Sequence, residues 1–262
     1  MSCRLQKDES LADRFKRIAG ELITGAIEEL QSHNVYEVRK RIKKLRAILR
    51  LLKPQLGAIY VEENRRLRDI ARCFSSARDL DVSLEVLETF AIAYKRGNTL
   101  DPHRRHLSRK RAAVEQQQPD DVSRSCESLI AIRHRIDDWP LSHLSQASLD
   151  SRLESTRKHS RRAFHKAQHT RRPEDLHELR KFVKHELNQR RLFPSAGAQS
   201  EELKKLSTLL GDHHNLVVLM ANLETPSARF HRLTQTRLRN YETQILSLAE
   251  SVYQNHHATA VA

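Results

Sequence analysis

Glycine, proline and aromatic residues are scarce in this chain, and their scarcity favours helices over folds rich in turns or strands. The 262 residues include 6 Gly and 7 Pro, and aromatic residues make up 5%. The common residues are instead Ala, Leu, Glu, Gln, Lys and Arg, which lose little conformational entropy in a helix. Hydrophobic residues make up 38%, enough for a buried core. We therefore expect an all-α globular chain of one or two domains.

Cysteine is also rare, and no stretch of the chain is long and apolar. The three cysteines, Cys3, Cys73 and Cys126, are far apart and form no CxxC motif, so neither a disulfide framework nor a structural zinc site is indicated. No apolar run approaches the roughly 18 residues of a membrane span, and "MSCRLQKDES" lacks the apolar region of a signal peptide. These features predict a cytoplasmic protein that does not insert into membranes.

Acidic residues are too few to balance the basic ones. The chain has 47 Lys plus Arg against 33 Asp plus Glu, a formal net charge of +14. Of the 47 basic residues 33 are Arg, whose planar guanidinium matches pairs of phosphate oxygens. A polyanion is therefore the expected partner class. Charge alone leaves open a basic protein that attracts nucleic acid only non-specifically.

Helical periodicity and capping residues predict the order of elements. Ser10, followed by an acid three residues later, is an N-cap signature for the first helix. The stretches "SSARDLD" and "GDHHN" are predicted bends, and "KRGNTLDPH" is the clearest boundary between segments. The predicted helices are approximately 11–31, 34–53, 57–75, 79–94, 103–117, 120–138, 143–169, 174–192, 199–210, 215–223 and 226–256.

Two segments repeat one basic helical pattern. Residues 35–52, "VYEVRKRIKKLRAILRLL", align without a gap to residues 176–193, "LHELRKFVKHELNQRRLF". With the offset shortened, "RDLDV" from Arg78 lies over "HNLVV" from His214. Two matched blocks in the same order predict two helical bundles related by a pseudo-two-fold axis. The predicted parts are a first half at 10–95, connecting helices at 96–142 and a second half at 143–257.

Each copy of the repeat carries basic residues on one helical face and hydrophobic residues on another. Glu37 in the first copy and Glu178 in the second do not by themselves balance this charge. One interpretation is a solvated face whose acids come from neighbouring helices; the other is a pair of faces that line a shared groove. The basic residues are Arg39, Lys40, Lys43, Lys44, Arg46 and Arg50 in the first copy, and His177, Arg180, Lys181, Lys184 and Arg191 in the second.

The helices that precede the two copies add charge at matching positions. Arg17 in the first half matches Lys158 in the second, and Arg161 lies nearby. Tyr36 and Phe182 are the only aromatic residues near these faces. Base stacking on aromatic side chains contributes about 1 to 3 kcal/mol per base to the binding of single-stranded nucleic acid. The scarcity of aromatic residues on these faces therefore favours a ligand made of phosphate alone.

The repeated motifs resemble those of the CHAD family, the conserved histidine α-helical domain. The family signatures are V-H-x-x-R-x-x-x-R/K-R-L-R and L-H-x-x-R-K-x-x-K-R-L-R, and here they read "VYEVRKRIKKLR" and "LHELRKFVKHEL". "RDLDV" and "LGDHHNL" resemble later motifs of the family. The resemblance implies one domain over 8–258, built as two four-helix bundles around a central basic groove that binds inorganic polyphosphate.

The resemblance also implies which residues contact the polymer. Carried over by position, the phosphate ligands are Arg39, Lys40, Lys43, Lys44, Arg46, His177, Arg180, Lys181 and Lys184. The helical face adds Arg50 and Arg191, and the preceding helices add Arg17, Lys158 and Arg161. Tyr36, Arg78 and His214 are expected to support the site. Tyr36 replaces the first signature histidine and cannot become cationic near neutral pH, and "HEL" at 185–187 shortens the second basic face.

The expected function is therefore non-catalytic polyphosphate binding, with an association with polyphosphate granules and no cofactor. Two alternatives stay open: non-specific nucleic-acid binding, and metal-dependent hydrolysis of phosphate chains. The pairs His103/His106 and His165/His169 each fit one helical face, but E-x-x-H occurs once, at Glu174. We expect no metal site and no catalytic residue. Protein partners are not indicated.

Overall fold

The computed structural model of the protein describes residues 9–93, 100–116, 119–193 and 198–254, and in those residues it contains helices and no strand. The expected all-α class is confirmed. The helices are α1 (Leu11–Gln31), α2 (Val35–Leu51), α3 (Lys53–Leu56), α4 (Ala58–Cys73), α5 (Ser75–Ala93), α6 (Asp101–Glu115), α7 (Pro119–Arg135), α8 (Gln146–Thr170), α9 (Pro173–Arg190), α10 (Ala198–Asn222) and α11 (Ala228–Gln254).

Local capping explains where the first helices begin and end. The Ser10 side chain accepts a hydrogen bond of 3.1 Å from the Asp13 backbone N–H, which confirms the predicted N-cap. Asn34 caps α2 in the same way. Pro54 does not simply stop α2, because it lies in the first turn of the short α3, where its missing N–H costs no hydrogen bond. Gly57, at φ 50°, then allows the turn into α4.

Both predicted bends are wrong. The break before α5 lies at Phe74, so "SSARDLD" forms the first turns of that helix. Helix α10 runs without interruption through "GDHHN", and the helices predicted at 199–210 and 215–223 are one. Gly211 lowers helix stability by about 1 kcal/mol relative to Ala. The buried side chains of Leu210 and Leu216 on either side of it hold the helix in the core. The predicted helix ends at Tyr94, Gln117 and His256 lie outside the described residues, as do the stop at Pro194 and the whole of "KRGNT".

The chain divides into two compact units. Among the described residues, unit 1 comprises 9–75, 119–158 and 185–193, and unit 2 comprises 76–93, 100–116, 159–184 and 198–254. Helices α8 and α9 each contribute residues to both units. These units are defined by contacts between residues. The sequence repeat instead predicted halves at 10–95 and 143–257 with connecting helices at 96–142, which comprise different segments, and that division stays a prediction.

In unit 1 the core forms where α1 packs on α2 and α7, and α2 packs on α4. The apolar face predicted for α2 is confirmed, because Val38, Ile42, Leu45 and Leu49 are all buried. Trp139, just after α7, joins the same core. Of the basic residues of α2, Arg39 and Arg46 donate hydrogen bonds to α4, whereas Arg41 forms an ion pair with Glu29 of α1.

In unit 2 the core includes side chains from α5, α6, α10 and α11, among them Leu87, Leu107, Leu219 and Phe230. The apolar residues predicted for α9 in this unit, Leu176, Leu179 and Val183, are also buried. No helix in the described parts of the chain is both long and apolar enough to cross a bilayer.

Candidate functional site

In unit 1 the basic face of α2 lies against α4. The Arg39 guanidinium donates a hydrogen bond to the Ala71 carbonyl, near the end of α4. Arg46 Nε donates to Asn64 Oδ1 of α4 at 3.0 Å, and Arg50 Nη1 donates to the Arg46 carbonyl at 3.0 Å. These bonds orient three of the predicted ligands along the line where α2 meets α4.

Arg46 and Arg50 are partly buried cations held among other cations. Burial lowers the pKa of Arg46 to about 10, with smaller contributions from Arg50, Arg68 and Arg72 in the same direction. Burial also lowers the pKa of Arg50. Among the residues the structure describes, neither side chain forms an ion pair with a carboxylate. The attraction of an anion placed here would therefore offset both the repulsion between these groups and the cost of their burial.

Two α4 arginines in this cluster, Arg68 and Arg72, were not identified from the sequence. Both are well exposed, and each is within 3.9 Å of the single carboxylate of Asp69, which Arg65 also approaches. One carboxylate is thus shared by three guanidinium groups. The i,i+4 spacing of Arg68 and Arg72 in "RRLRDIAR" places them on one helical face, and this spacing is the signal that could have found them.

Other predicted ligands of unit 1 already have acidic partners. Arg17 Nε lies 3.0 Å from Glu9 Oε1, and Arg17 Nη1 lies 2.8 Å from Glu21 Oε1. Lys40 Nζ lies 2.9 Å from Glu37 Oε1. A phosphate group must compete with these carboxylates, so Arg17 and Lys40 attract an anion less strongly than Arg46 and Arg50 do.

The remaining predicted residues of unit 1 lie nearer the solvent. Lys43, Lys158, Arg191 and Tyr36 are exposed, and Lys44 is half-buried. The Lys40 ammonium lies 5.8 Å from the centroid of the Tyr36 ring, a cation–π distance. Tyr36 thus contacts the basic face that it was predicted to support.

In unit 2 two imidazole rings meet between α9 and α10. His177 Nδ1 lies 3.2 Å from His214 Nδ1, and the ring centroids are 4.4 Å apart. One δ nitrogen must donate and the other accept. The pKa of His214 is lowered to about 3, first by burial and then by Arg180 and other cationic neighbours, and burial followed by Arg180 also lowers the pKa of His177. Both rings are therefore neutral near pH 7, contrary to a cationic role for His177.

Lys184 is the buried cation of unit 2. The pKa of its ammonium is lowered to about 8, first by burial and then by the charges of Arg180 and Arg78. In the described parts of the chain Lys184 has no carboxylate within ion-pair distance. Lys184 therefore has surroundings similar to those of Arg46 in unit 1. Each is a predicted ligand that is partly buried beside other cations.

The other predicted residues of unit 2 have varied surroundings. Lys181 is exposed and forms an ion pair with Glu178 of its own helix. Arg78 Nη1 lies 3.0 Å from Glu85 Oε1, so its charge is partly balanced. Arg161 is half-buried on α8.

The departure from the family motif at Glu186 has a structural role. The Glu186 carboxylate is fully buried in unit 1, 3.1 Å from Arg190 Nε and 3.7 Å from Arg157 Nη1. It forms ion pairs with these two arginines, which lie outside the predicted site. No group of three or more His, Cys, Asp or Glu in the described residues could hold a metal ion.

Comparison with known families matches most of this chain. The family model described as the CHAD domain matches residues 9–224. The match ends before α11, although the sequence motifs predicted a domain extending to residue 258. No curated protein and no solved structure matches the chain.

Proposed function

Because the chain belongs to the CHAD domain family, which is associated with polyphosphate binding, we propose that it binds inorganic polyphosphate without hydrolysing it. The ligand is a flexible chain of phosphoryl groups with regularly spaced negative charges. Arg and Lys side chains bind such oxygens through charge-assisted hydrogen bonds. The proposal includes the arrangement expected from the repeat: two four-helix bundles, a pseudo-two-fold relation and a shared basic groove.

The observation that carries the proposal is that Arg46 and Lys184 are partly buried, lie beside other cations and have no carboxylate partner among the described residues. A phosphate oxygen about 4 Å from such a group interacts with it by about 4 kcal/mol at an effective dielectric constant of ~20. At an exposed, paired lysine the gain is smaller, because water and the existing carboxylate already stabilise the charge. Both residues belong to the repeated basic helices.

Polyphosphate fits these surfaces better than nucleic acid does. Of the two aromatic side chains near the basic faces, Phe182 stacks on His159 with ring centroids 5.8 Å apart, and Tyr36 contacts Lys40. Neither ring is presented as part of a series on which successive bases stack. Polyphosphate has no bases, so it can bind the cationic side chains without needing aromatic rings for stacking. We include association with cytoplasmic polyphosphate granules in the proposal.

The test is a titration of the full chain with long-chain polyphosphate and with duplex DNA of matched total charge, at about 0.15 M salt. Polyphosphate should bind more tightly. Salt sensitivity alone does not distinguish the two ligands, because both release counterions on binding. Equal affinities would contradict polyphosphate specificity and leave a non-specific polyanion binder.

The variants Arg46→Gln and Lys184→Gln should each weaken polyphosphate binding. Suitable controls are Arg124→Gln in unit 1 and Lys204→Gln in unit 2, because both wild-type side chains are exposed and paired with a nearby carboxylate. Equal losses in the controls would assign binding to net charge. Phosphate release should stay at background with and without a divalent metal, and release above background would contradict the non-catalytic function.

A further inference from the structure

Unit 2 contains a second concave site with chemistry unlike that of the basic faces. Helices α10 and α11 line most of an open cavity of about 430 Å³, within the range of small-molecule sites. Much of its wall is apolar. It is lined by Pro173, His213, Val217, Met220, Pro226, His231, Gln235, Leu238 and Glu242.

A buried polar atom in the wall of this cavity lacks a partner. The His213 side chain is 4% exposed, and its Nε2 atom has no hydrogen-bond partner among the described residues. Glu242 Oε1 is the nearest acidic group, at 3.5 Å, too far for a strong hydrogen bond. Native proteins seldom leave such an atom unsatisfied, since the cost is about 1 to 3 kcal/mol. A bound donor within hydrogen-bond distance of both His213 Nε2 and Glu242 Oε1 would remove this cost.

The charge of the cavity favours a cationic group there. Glu242 is partly buried, and no Lys or Arg in the described residues lies within ion-pair distance of its carboxylate. Burial lowers the pKa of His213, although Glu242 opposes the shift, so the neutral imidazole can accept a hydrogen bond at Nε2. An anionic ligand would be repelled by Glu242.

We propose that this cavity binds a small organic amine, whose ammonium group donates hydrogen bonds to Glu242 Oε1 and His213 Nε2. The apolar part of the amine lies against Val217, Met220 and Leu238. An ammonium group has three donors, enough to bridge two acceptors 3.5 Å apart and to keep one bond to water. A metal ion is a poorer occupant, because the described residues contain no three-ligand group.

This site is separate from the polyphosphate surface although the two are adjacent in sequence. His213 and His214 are consecutive, and successive helical side chains point about 100° apart. His214 therefore contacts His177 on the basic side, whereas His213 lines the cavity. Four lining residues, His231, Gln235, Leu238 and Glu242, belong to α11, beyond the residues that the family model matches.

The test compares hexylammonium, hexanol and hexanoate in calorimetric titrations of the full chain. Hexylammonium should saturate one site and bind at least about tenfold more tightly than hexanol, the difference that a charge-assisted hydrogen bond supplies. Hexanoate should bind most weakly. Equal binding of hexylammonium and hexanol, or no saturable binding of hexylammonium, would overturn the proposal.

The variant Glu242→Gln keeps the side-chain shape and removes the charge. It should weaken hexylammonium binding at least about tenfold and leave polyphosphate binding unchanged, which also verifies folding. Glu250→Gln, an exposed position on the same helix, is the matched control. The ¹⁵N shift of His213 Nε2 should move on titration with hexylammonium. Unchanged binding in Glu242→Gln, or an unmoved His213 signal, would contradict the assignment.

Discussion

The δ nitrogens of His177 and His214 lie 3.2 Å apart, within hydrogen-bond distance, although 37 residues separate them in the chain. The contact joins the signature histidine of the second basic helix to the later motif on α10. Since one nitrogen donates and the other accepts, the pair is compatible with neutral rings and opposes double protonation. The signature histidine and its partner on α10 thus form a neutral pair near Arg180 and Lys184.

The pH dependence of polyphosphate binding should depend on Lys184 at neutral to alkaline pH. Its pKa of about 8 in the free protein rises when a polyanion binds, so binding takes up a proton at pH values above about 8. Affinity should therefore fall as pH rises from about 7 to 10. Titrations across this range measure the fall, and Lys184→Arg should flatten it. A profile in Lys184→Arg as steep as that of wild type would contradict this role.

The histidine pair should respond only at more acidic pH. Because burial and Arg180 lower the pKa of His177 below 6.5, affinity should change little between pH 8 and 7 on its account and rise below about 6.5. Lys181→Gln removes one cationic neighbour of His177 and should shift this rise towards neutral pH. The His177 resonance in NMR titrations with and without polyphosphate measures the shift. A rise centred above pH 7 in wild type would contradict the neutral pair.

Lys184→Met should stabilise the free protein while weakening polyphosphate binding. The folded-state pKa of Lys184 lies below its ordinary value, so the charged form carries an energetic cost in the fold. This cost is fully present below pH 8 and disappears as pH rises through the unfolded-state value. Removal of the charge should raise the Tm at pH 7, by roughly 2 to 4 °C per kcal/mol relieved, and should not raise it at pH 11. A lower Tm at pH 7 would contradict the argument.

Arg68 and Arg72 should contribute to polyphosphate binding although they lie outside the sequence motifs. They approach Arg46 from α4 and share one carboxylate with Arg65. The double variant Arg68→Gln, Arg72→Gln should weaken binding and reduce the salt dependence by about 0.7 to 0.9 per cation lost, if the polymer releases counterions as nucleic acids do. Arg109→Gln with Arg124→Gln, on α6 and α7, is the charge-matched control. An unchanged salt dependence would place both arginines outside the site.

Reversal of charge in both copies of the repeat should abolish binding. The double variant Arg39→Glu, Arg180→Glu places an acid at equivalent positions of the repeat in α2 and α9, and helicity by circular dichroism should stay intact. Arg124→Glu with Arg239→Glu, both exposed, makes the same charge change elsewhere. The two single variants test the shared groove: independent sites predict separate, additive losses. Retained binding in the double variant would move the site elsewhere.

The sequence alone was sufficient for the helices, the apolar faces and the charged faces, because these features depend on local spacing. The Ser10 cap and the buried face of α2 are examples. The bends were the exception, because a glycine or a serine pair weakens a helix by an amount that core packing offsets, as at Gly211 in α10. Local propensity cannot report that compensation.

Tertiary structure alone decided which cations have carboxylate partners and which lie buried among like charges. Arg17 and Arg46 look equivalent on helical faces, yet Arg17 lies between Glu9 and Glu21, whereas Arg46 packs against Asn64 of α4. Burial and ion pairing depend on which helices pack together and in what register, and no single helical pattern specifies that packing. For the same reason the cavity beside His213 was not predicted: its wall combines residues from α10 and α11 with two prolines outside them.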